Sequence, residues 1–378
     1  MTSVLPTSDR LRVLHFVTGG FSGATQVAID LCQAQLAAGR IAPLLVLRRK
    51  RHTDMTRVEA LRARGLDVRV VPGWAHWATT LALVGLCREW HPDVLMAHGF
   101  PEHLIGRRAG QLAGVPRLIQ VEHNSRERYT PWSRWRARRL DAISSALVGV
   151  SEGVRRALVR NGAPAALTQA IPNGVVLGRF AAADAGAPRE AAILMSARFA
   201  RQKDQPTLIR AMALLRDRCL TPPLYLAGGG SSLWRRRSER IADRLELANV
   251  QFLGHVADMP ALLMRTRIFV LATHWEGMPL ALVEAMAAGC ACIATVAPGT
   301  EGLLDEGRGL YVPEGDAAAL ADAIERLLRA PALARQLGDK ARAHALAELG
   351  VEHMMARYET LLLGTPGVGT PDAALGPP

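Results

Sequence analysis

The sequence predicts an α/β protein built from two tandem, doubly wound parallel-sheet domains that face a cleft. Its 378 residues are about twice the length of a common domain, which favours two units over one. Short apolar runs alternate with helical runs along most of the chain, and this alternation indicates parallel sheets covered by helices on both faces. The stretch AAADAGAPRE after Phe180 interrupts the alternation and is typical of a linker.

In the first half, the predicted strand at residues 11–18 is followed by a glycine loop and a helix from residue 24 to 38. The further elements are predicted strands at 41–47, 67–71, 93–97, 117–122 and 146–150, and helices at 55–64, 78–90 and 103–113. We assign residues 1–185 to an N-terminal Rossmann-like domain.

In the second half, strands are predicted at 191–196, 223–227, 250–253, 268–272 and 290–295, with helices at 205–217, 232–247, 258–264, 280–288, 316–329 and 331–347. Residues 186–350 form the predicted second Rossmann-like domain, and residues 351–363 a C-terminal helix that packs back toward the first. The Gly- and Pro-rich residues 364–378 are expected to be disordered. Since ligands of open parallel sheets bind beyond the carboxyl ends of the strands, each domain should supply one wall of the cleft.

Composition is that of a soluble globular protein, with 49% apolar and 21% charged residues. No apolar run reaches the roughly 18 residues of a membrane helix, and the first residues show no signal-peptide pattern, so we expect a cytoplasmic protein. The five cysteines are scattered and include no Cys-x-x-Cys pair. They therefore predict neither a disulfide framework nor a metal site.

The positive charge is confined to the first half of the chain. Residues 1–185 hold 25 basic and 13 acidic residues, whereas residues 186–378 hold 21 of each. This asymmetry favours an anionic partner for the first half, which could be a nucleic acid, an anionic membrane or a phosphorylated substrate. A bias in base composition is the alternative, because 43 of the 46 basic residues are arginine.

A nearly apolar helix between two carboxylates is the most informative stretch. In HWEGMPLALVEAMAAG, residues 274–289, Pro279 stands where a helix would begin, and Glu284 lies inside that helix. The free N–H groups of a helix start suit a phosphate. Glu284 would lie roughly 7.5 Å further along, a spacing that suits diphosphate at the helix start and ribose at Glu284. The alternative is a carboxylate paired with a core arginine or with backbone N–H groups.

Embedded in EGMPLALVEAMAAGCACIAT, the two carboxylates Glu276 and Glu284 resemble the signature of retaining glycosyltransferases of the GT-B fold, family 4 in particular. The resemblance covers residues 11 to 360, approximately. It implies an acceptor-side first domain, a second domain that binds a UDP- or GDP-sugar, and transfer to a glycan or lipid-linked acceptor with retention of configuration. It also implies Glu276 as a ligand of the donor sugar, with Gly277, Met278, Pro279 and Leu280 beside the diphosphate.

Other segments match the same family. SARFARQKDQPTLIRAM resembles the segment whose Arg and Lys clamp the donor diphosphate, which are Arg198 and Lys203 here, although Asp204 replaces the family's usual glycine. QVEHNSRE contains His123, at the position of a histidine that reaches the donor sugar from the first domain, with His98 as a substitute candidate. Glu301 would contact donor or phosphate.

The loop GGFSGA follows a strand and opens a helix, a position that suits backbone contacts to phosphate. In the family this loop approaches the donor and shapes the acceptor site, which makes Gly19, Gly20 and Gly23 candidate contacts. Its spacing is not Gly-x-Gly-x-x-Gly, which makes a dinucleotide site less favoured. No cofactor and no metal are expected, because fixed cations can take the place of a metal beside the diphosphate.

The segment RERYTPWSRWRARRLD, residues 126–141, carries six arginines with Tyr129, Trp132 and Trp135. Arginine among aromatics suits an anionic membrane, and we expect peripheral membrane contact through residues 126–139. The same composition suits single-stranded nucleic acid, although no nucleic acid is expected from the family resemblance. A solvated helix with both tryptophans packed inward is the plainer alternative.

Two alternative functions remain open at this point. A phosphorylase or a nucleotide-sugar epimerase would keep the fold but change the reaction. A nucleic-acid-binding protein would use the basic first half and leave the donor-like motif without a role. The family resemblance favours sugar transfer in bacterial surface polysaccharide or lipopolysaccharide synthesis.

Overall fold

The computed structural model describes residues 10–126, 129–181 and 188–364. The predicted fold class is confirmed, since two separate parallel sheets are each covered by helices. The predicted disordered tail, apart from Gly364, lies outside the described residues, as does most of the predicted linker. No helix in the described ranges is long and apolar enough to cross a membrane.

The first sheet has seven strands in the order β3-β2-β1-β4-β5-β6-β7. The strands are β1 Leu11–Thr18, β2 Ile41–Arg48, β3 Val68–Val71, β4 Val94–His98, β5 Arg117–Glu122, β6 Ala146–Gly149 and β7 Thr168–Ala170. The helices are α1 Gly23–Ala38, α2 Met55–Ala63, α3 His76–Trp90, α4 Glu102–Ala113, α5 Pro131–Asp141 and α6 Glu152–Arg160. The three-residue β7 was not predicted, because so short a strand has no periodicity to detect.

The second sheet has six strands in the order β10-β9-β8-β11-β12-β13. These strands are β8 Glu190–Ser196, β9 Leu224–Ala227, β10 Val250–Gly254, β11 Thr266–Leu271, β12 Ala291–Thr295 and β13 Gly309–Val312. The helices are α7 Gln205–Asp217, α8 Ser232–Arg244, α9 Met259–Arg265, α10 Leu280–Ala287, α11 Ala317–Arg329, α12 Pro331–Glu348 and α13 Val351–Leu363. Sequence reasoning missed β13, an edge strand with mostly half-buried residues.

Helix α13 packs against α1 of the first domain, although it follows the second sheet in the chain. Tyr358 is fully buried there. The guanidinium of Arg117, at the start of β5, donates hydrogen bonds to the carbonyl oxygens of Leu361 and Leu362 at 2.9 and 2.6 Å. These carbonyls belong to the unpaired last turn of the helix, which the arginine therefore caps.

A buried ionic network joins α4 to the end of α5. The guanidinium of Arg107 is fully buried and donates to Asp141 at 2.7 Å, to Ser144 at 3.0 Å and to Nδ1 of His103 at 2.9 Å. Since Nδ1 accepts, the other ring nitrogen of His103 donates to Tyr129 at 2.6 Å. Burial and the nearby guanidinium lower the pKa of His103 well below its ordinary value. The neutral ring therefore links the basic α5 segment to the domain core.

We expect Asp141→Ala to lower the free energy of unfolding by about 3 kcal/mol, because it leaves the charge of Arg107 buried without a counterion. Urea denaturation followed by circular dichroism measures this. The matched control is Asp217→Ala, since the ion pair of Asp217 with Arg216 is exposed and its loss should cost less than about 1 kcal/mol. Equal losses in both variants would contradict the assignment.

Candidate functional site

The carboxyl ends of the two sheets face each other across a cleft of about 370 Å³. Nine of the thirteen residues predicted for the site line this cleft, namely Gly23, His123, Arg198, Lys203, Glu276, Gly277, Met278, Pro279 and Leu280. The remaining four, Gly19, Gly20, Glu284 and Glu301, lie outside its lining. The tertiary structure therefore brings four separate segments of the sequence to one place.

The start of α10 forms part of the second-domain wall. The sequence predicts Pro279 as the first helical residue. In the structure it is the N-cap residue, in extended conformation, one position before the helix begins. The first backbone bonds of this helix run from Leu282 and Val283 to the Pro279 carbonyl. In the described part of the chain, the N–H groups of Leu280 and Ala281 have no acceptor, and both residues line the cleft. Free N–H groups at a helix start suit an anion.

Two cations flank that helix start. Arg198 is exposed at the cleft and forms no ion pair with any described residue. Lys203 is held beside the loop after β11, where its Nζ pairs with Oε1 of Glu276. Together with the helix start, these side chains make this wall positively polarised.

Glu276 is buried and held by three side chains of its own domain. Its Oε1 accepts from Lys203 and from the Thr273 hydroxyl, the latter at 2.7 Å. Its Oε2 accepts from the Gln202 amide at 3.2 Å. A buried carboxylate needs such partners, and here they fix its orientation. Oε2 carries one long hydrogen bond and keeps capacity for a further donor.

The backbone of Gly277 touches the first domain directly. A Cβ atom on Gly277 would lie 1.9 Å from the carbonyl oxygen of His123, which excludes a side chain there. Hydroxyls of the first domain bind this loop as well, since Ser125 donates to the Glu276 carbonyl at 2.6 Å and Ser151 to the Gly277 carbonyl at 2.7 Å. The loop that carries Glu276 is therefore part of the contact between the two domains.

A row of imidazoles extends from the first-domain wall into the core. Nε2 of His123 lies 3.1 Å from Nδ1 of His98, and Nε2 of His98 lies 3.2 Å from Nδ1 of His15. Nε2 of His15 lies 2.9 Å from Oε1 of Gln35 on α1. Burial lowers the pKa of His15 to about 4 and that of His123 to about 3. Burial also lowers the pKa of His98 well below its ordinary value, so all three rings are neutral near pH 7.

Two family models match this chain in succession. Residues 21–179 match Glycosyltransferase Family 4, and residues 182–344 match Glycosyl transferases group 1. The chain belongs to glycosyltransferase family 4.

Curated relatives match at low to moderate identity. Glycosyltransferase EpsD of Bacillus subtilis (strain 168) is 34% identical over 146 residues, which are 38% of this chain and 38% of EpsD. The match thus covers little more than a third of that relative's length. Lipopolysaccharide core biosynthesis glycosyltransferase LpsE of Rhizobium meliloti (strain 1021) is 26% identical over 94% of this chain and 100% of LpsE.

Among solved structures, the crystal structure of Anabaena HepE in complex with UDP-glucose superposes with a TM-score of 0.80. The match covers 94% of this chain and 100% of HepE at 21% sequence identity. At this identity the likeness shows the fold alone, which is GT-B.

In this glycosyltransferase, Glu284 lies next to a second cavity of about 590 Å³ lined by Asp30 of α1 and Arg179. Arg179 bridges the two, with its Nη1 at 3.2 Å from Oε1 of Glu284. The alternative interpretation of Glu284 was a carboxylate paired with a core arginine. Half of the Arg179 side chain is exposed, so Arg179 is not a core arginine. Burial raises the pKa of Glu284 and raises that of Asp30 to about 6. Asp30 of the first domain therefore lines this cavity, and Glu284 of the second domain is joined to the lining by its ion pair with Arg179.

The other predicted residues outside the cleft have contacts of their own. Gly19 packs against the carbonyl oxygen of Arg48, where a Cβ would come within 2.7 Å, so this glycine allows the loops after β1 and β2 to approach each other. Glu301 is half-exposed and pairs with Arg156 of α6, across the contact between the domains.

Sequence reasoning singled out the segment AIPNGV but not the side chain of Asn173 within it. Asn173 lines the cleft, and its Oδ1 is buried without a hydrogen-bond partner in the described structure. Glu102 and Gln202, which line the cleft, and Thr273, which donates to Glu276, were missed as well. Only the fold shows that these polar side chains lie at or beside the cleft.

We expect Gly277→Ala to weaken the contact between the domains, because the added methyl group would overlap the His123 carbonyl. The variant should have a lower midpoint of thermal unfolding, with a loss of about 2 kcal/mol for a contact this short. Differential scanning calorimetry measures it. Gly85→Ala on α3, where nothing lies within 4 Å of the added carbon, is the control. An unchanged Gly277→Ala midpoint would show that the contact is dispensable.

Proposed function

We propose that this protein transfers a sugar from a nucleotide diphosphate donor of the UDP or GDP type to a hydroxyl of a glycan or lipid-linked acceptor, with retention of the anomeric configuration. The observation that carries the proposal is the second-domain wall, where Arg198, Lys203 and the start of α10 converge. They supply charged and neutral N–H donors around a space that suits a diphosphate.

Such a wall would act mainly on the leaving group. As the bond between sugar and diphosphate breaks, the diphosphate gains negative charge, and fixed positive charges lower the energy of that state. Arg198 requires no prior ion pair to be broken, so it is available for this role. We expect no requirement for a divalent metal, because fixed cations beside the diphosphate can substitute for one.

Lys203 and Glu276 would act as a pair. The carboxylate orients the ammonium toward the cleft through Oε1, while Oε2 accepts a hydrogen bond from a hydroxyl of the donor sugar. His123 approaches the same sugar from the opposite wall. Glu284, with Arg179 displaced, would accept the ribose hydroxyls beside the second cavity.

A basic and aromatic groove on the first domain supports a lipid-linked acceptor. A cavity of about 700 Å³ is lined by the consecutive cations Arg49, Lys50 and Arg51, together with Met55 and Trp74. Three-quarters of the Trp74 side chain is exposed. Apolar and cationic groups together suit an amphiphile with an anionic head.

This groove connects to the cleft through one ion pair. Nζ of Lys50 lies 3.6 Å from Oε1 of Glu102, and Glu102 lines the cleft. An acceptor whose anionic group rests at Lys50 could therefore place its sugar hydroxyl near His123.

Helix α5 supports contact with an anionic membrane. Trp132 and Trp135 stack at 4.6 Å and are exposed, at 64% and 43%. The alternative interpretation, a solvated helix with both tryptophans packed inward, therefore does not describe these two side chains. The guanidinium of Arg139 lies 4.2 Å from the Trp135 ring. Exposed tryptophans beside arginines suit the headgroup region of a bilayer. An enzyme on the inner face of the cell membrane that acts in lipopolysaccharide or surface polysaccharide synthesis fits this surface. The relative LpsE is named a lipopolysaccharide core biosynthesis glycosyltransferase.

The donor site is tested by a thermal-shift panel of UDP- and GDP-sugars, with and without EDTA, followed by calorimetric titration of the nucleotide that stabilises the protein. Lys203→Ala and Glu284→Ala should each weaken binding roughly tenfold, because each removes a hydrogen bond to or from a charged group. EDTA should have no effect.

The matched control is Lys340→Ala, since Lys340 is an exposed lysine on α12. It should bind nucleotide as the wild type does. The assignment fails if no nucleotide stabilises the wild type, or if Lys203→Ala and Glu284→Ala respond as Lys340→Ala does.

Membrane contact is tested by sedimentation with vesicles of pure phosphatidylcholine and with vesicles that contain phosphatidylglycerol. The wild type should sediment with the anionic vesicles, and Trp132→Ser combined with Arg136→Gln should reduce the bound fraction severalfold through lost apolar and charge contacts. Arg326→Gln and Leu346→Ser, on α11 and α12 of the second domain, are controls. Negligible binding of the wild type to both vesicles would remove this part of the proposal.

A further inference from the structure

The imidazole row has a direction that its buried end determines. A neutral imidazole has one N–H donor and one acceptor nitrogen. Three hydrogen bonds join the three neutral rings and Gln35, and we call each of them a link of the row. The rings supply three N–H protons in total, so one proton lies in each link. All links must then run the same way, because a reversed link would place two donors or two acceptors face to face.

Gln35 sets that direction. Its Oε1 can only accept, so His15 must donate from Nε2, which leaves Nδ1 of His15 as an acceptor. His98 then donates from Nε2 and accepts at Nδ1, and His123 donates to it from Nε2. Nδ1 of His123 is left as an acceptor for a ligand in the cleft.

The geometry supports hydrogen bonds rather than simple packing. Both neighbouring ring pairs have centroids 5.4 Å apart, with interplanar angles of 30° and 27°, so the ring nitrogens point along the row. His15 on β1, His98 on β4 and His123 after β5 come from three adjacent strands. His15 and Gln35 are fully buried, and His98 is 1% exposed.

Of the two polar atoms in the Gln35 amide, only Oε1 has a hydrogen-bond partner in the described structure. Its Nε2 is buried without a hydrogen-bond partner in the described structure. An apolar side chain of this size would avoid that cost but would leave Nε2 of His15 without a hydrogen-bond partner. The acceptor atom toward His15 is what the amide contributes.

We propose that Gln35, His15 and His98 are positioning residues that hold His123 in the Nε2–H tautomer and present its Nδ1 as a hydrogen-bond acceptor to the substrate. The role in catalysis rests on the proposed function, whereas the tautomer does not. A substrate hydroxyl donates to Nδ1. The imidazole row with Gln35, which we call the relay, keeps the ring of His123 from rotating or exchanging tautomers during turnover.

The test compares two replacements of Gln35. A purely structural role ranks the severity of their effects in the opposite order to the one that the proposed positioning role predicts. Q35E keeps an acceptor toward His15 but buries a carboxylate, while Q35M keeps the apolar length and removes the acceptor. A packing role predicts that Q35M is the milder change. The relay predicts that Q35E retains the tautomer of His123 and that Q35M loses it.

The tautomer is read by long-range ¹⁵N–¹H correlation spectra of protein labelled at histidine, with signals assigned through loss in His123→Asn. In the wild type, Nδ1 of His123 should be unprotonated. A wild-type spectrum with Nδ1 protonated overturns the proposal by itself, whether or not any variant folds. His15→Phe, which keeps the ring shape, serves as the second variant and should release the tautomer as Q35M does.

Turnover of the nucleotide sugar that the panel selects gives the second readout. Q35M should lower kcat by roughly tenfold, as loss of an orienting partner does elsewhere, with the affinity for the free nucleoside diphosphate unchanged. Gln111→Met, at an exposed position on α4, is the matched control and should match the wild type. Equal kcat in Q35M and wild type, or a lower kcat in Q35E than in Q35M, overturns the relay. If the wild type binds no nucleotide, the proposed function fails while the spectra still decide the tautomer.

Discussion

The backbone contact between Gly277 and His123 is the constraint on which the site depends. A carbonyl oxygen of the first domain occupies the space where any other residue would have a Cβ, so the loop after β11 can approach only as glycine. Serine hydroxyls from the first domain then bind the carbonyls of residues 276 and 277. This contact sets the distance between the histidine on one wall and the carboxylate on the other, and hence the width of the cleft.

Charge is arranged around that contact so that the buried carboxylate of Glu276 has a cationic partner. Glu276 is balanced by Lys203 and held by Thr273, whereas Arg198 has no ion pair with a described residue. Removing either partner would leave the other charge buried and uncompensated, which is strongly destabilising. The uncompensated positive charge therefore lies at Arg198 and at the start of α10, which is where a diphosphate would be stabilised most.

The first domain contributes polarity of a different kind. Its wall carries neutral imidazoles whose burial lowers their pKa values, while its outer surface carries exposed arginines and tryptophans on α5 and around the groove at Lys50. The excess positive charge of the first half of the chain is thus concentrated outside the cleft rather than in it. This separation suits an enzyme whose donor is held by the second domain and whose acceptor arrives along the first.

Sequence alone determined the order of most strands and helices, the GT-B fold and the segments that line the cleft, because periodicity and the motif around Glu276 and Glu284 are local in the chain. The short strands β7 and β13 carry too few residues for such a pattern. Tertiary structure decided which side chains meet. The row from Gln35 to His123, the Arg156–Glu301 pair and the Gly277 contact each join segments at least 20 residues apart. Packing of adjacent parallel strands and of two domains brings them together, and no local pattern records it.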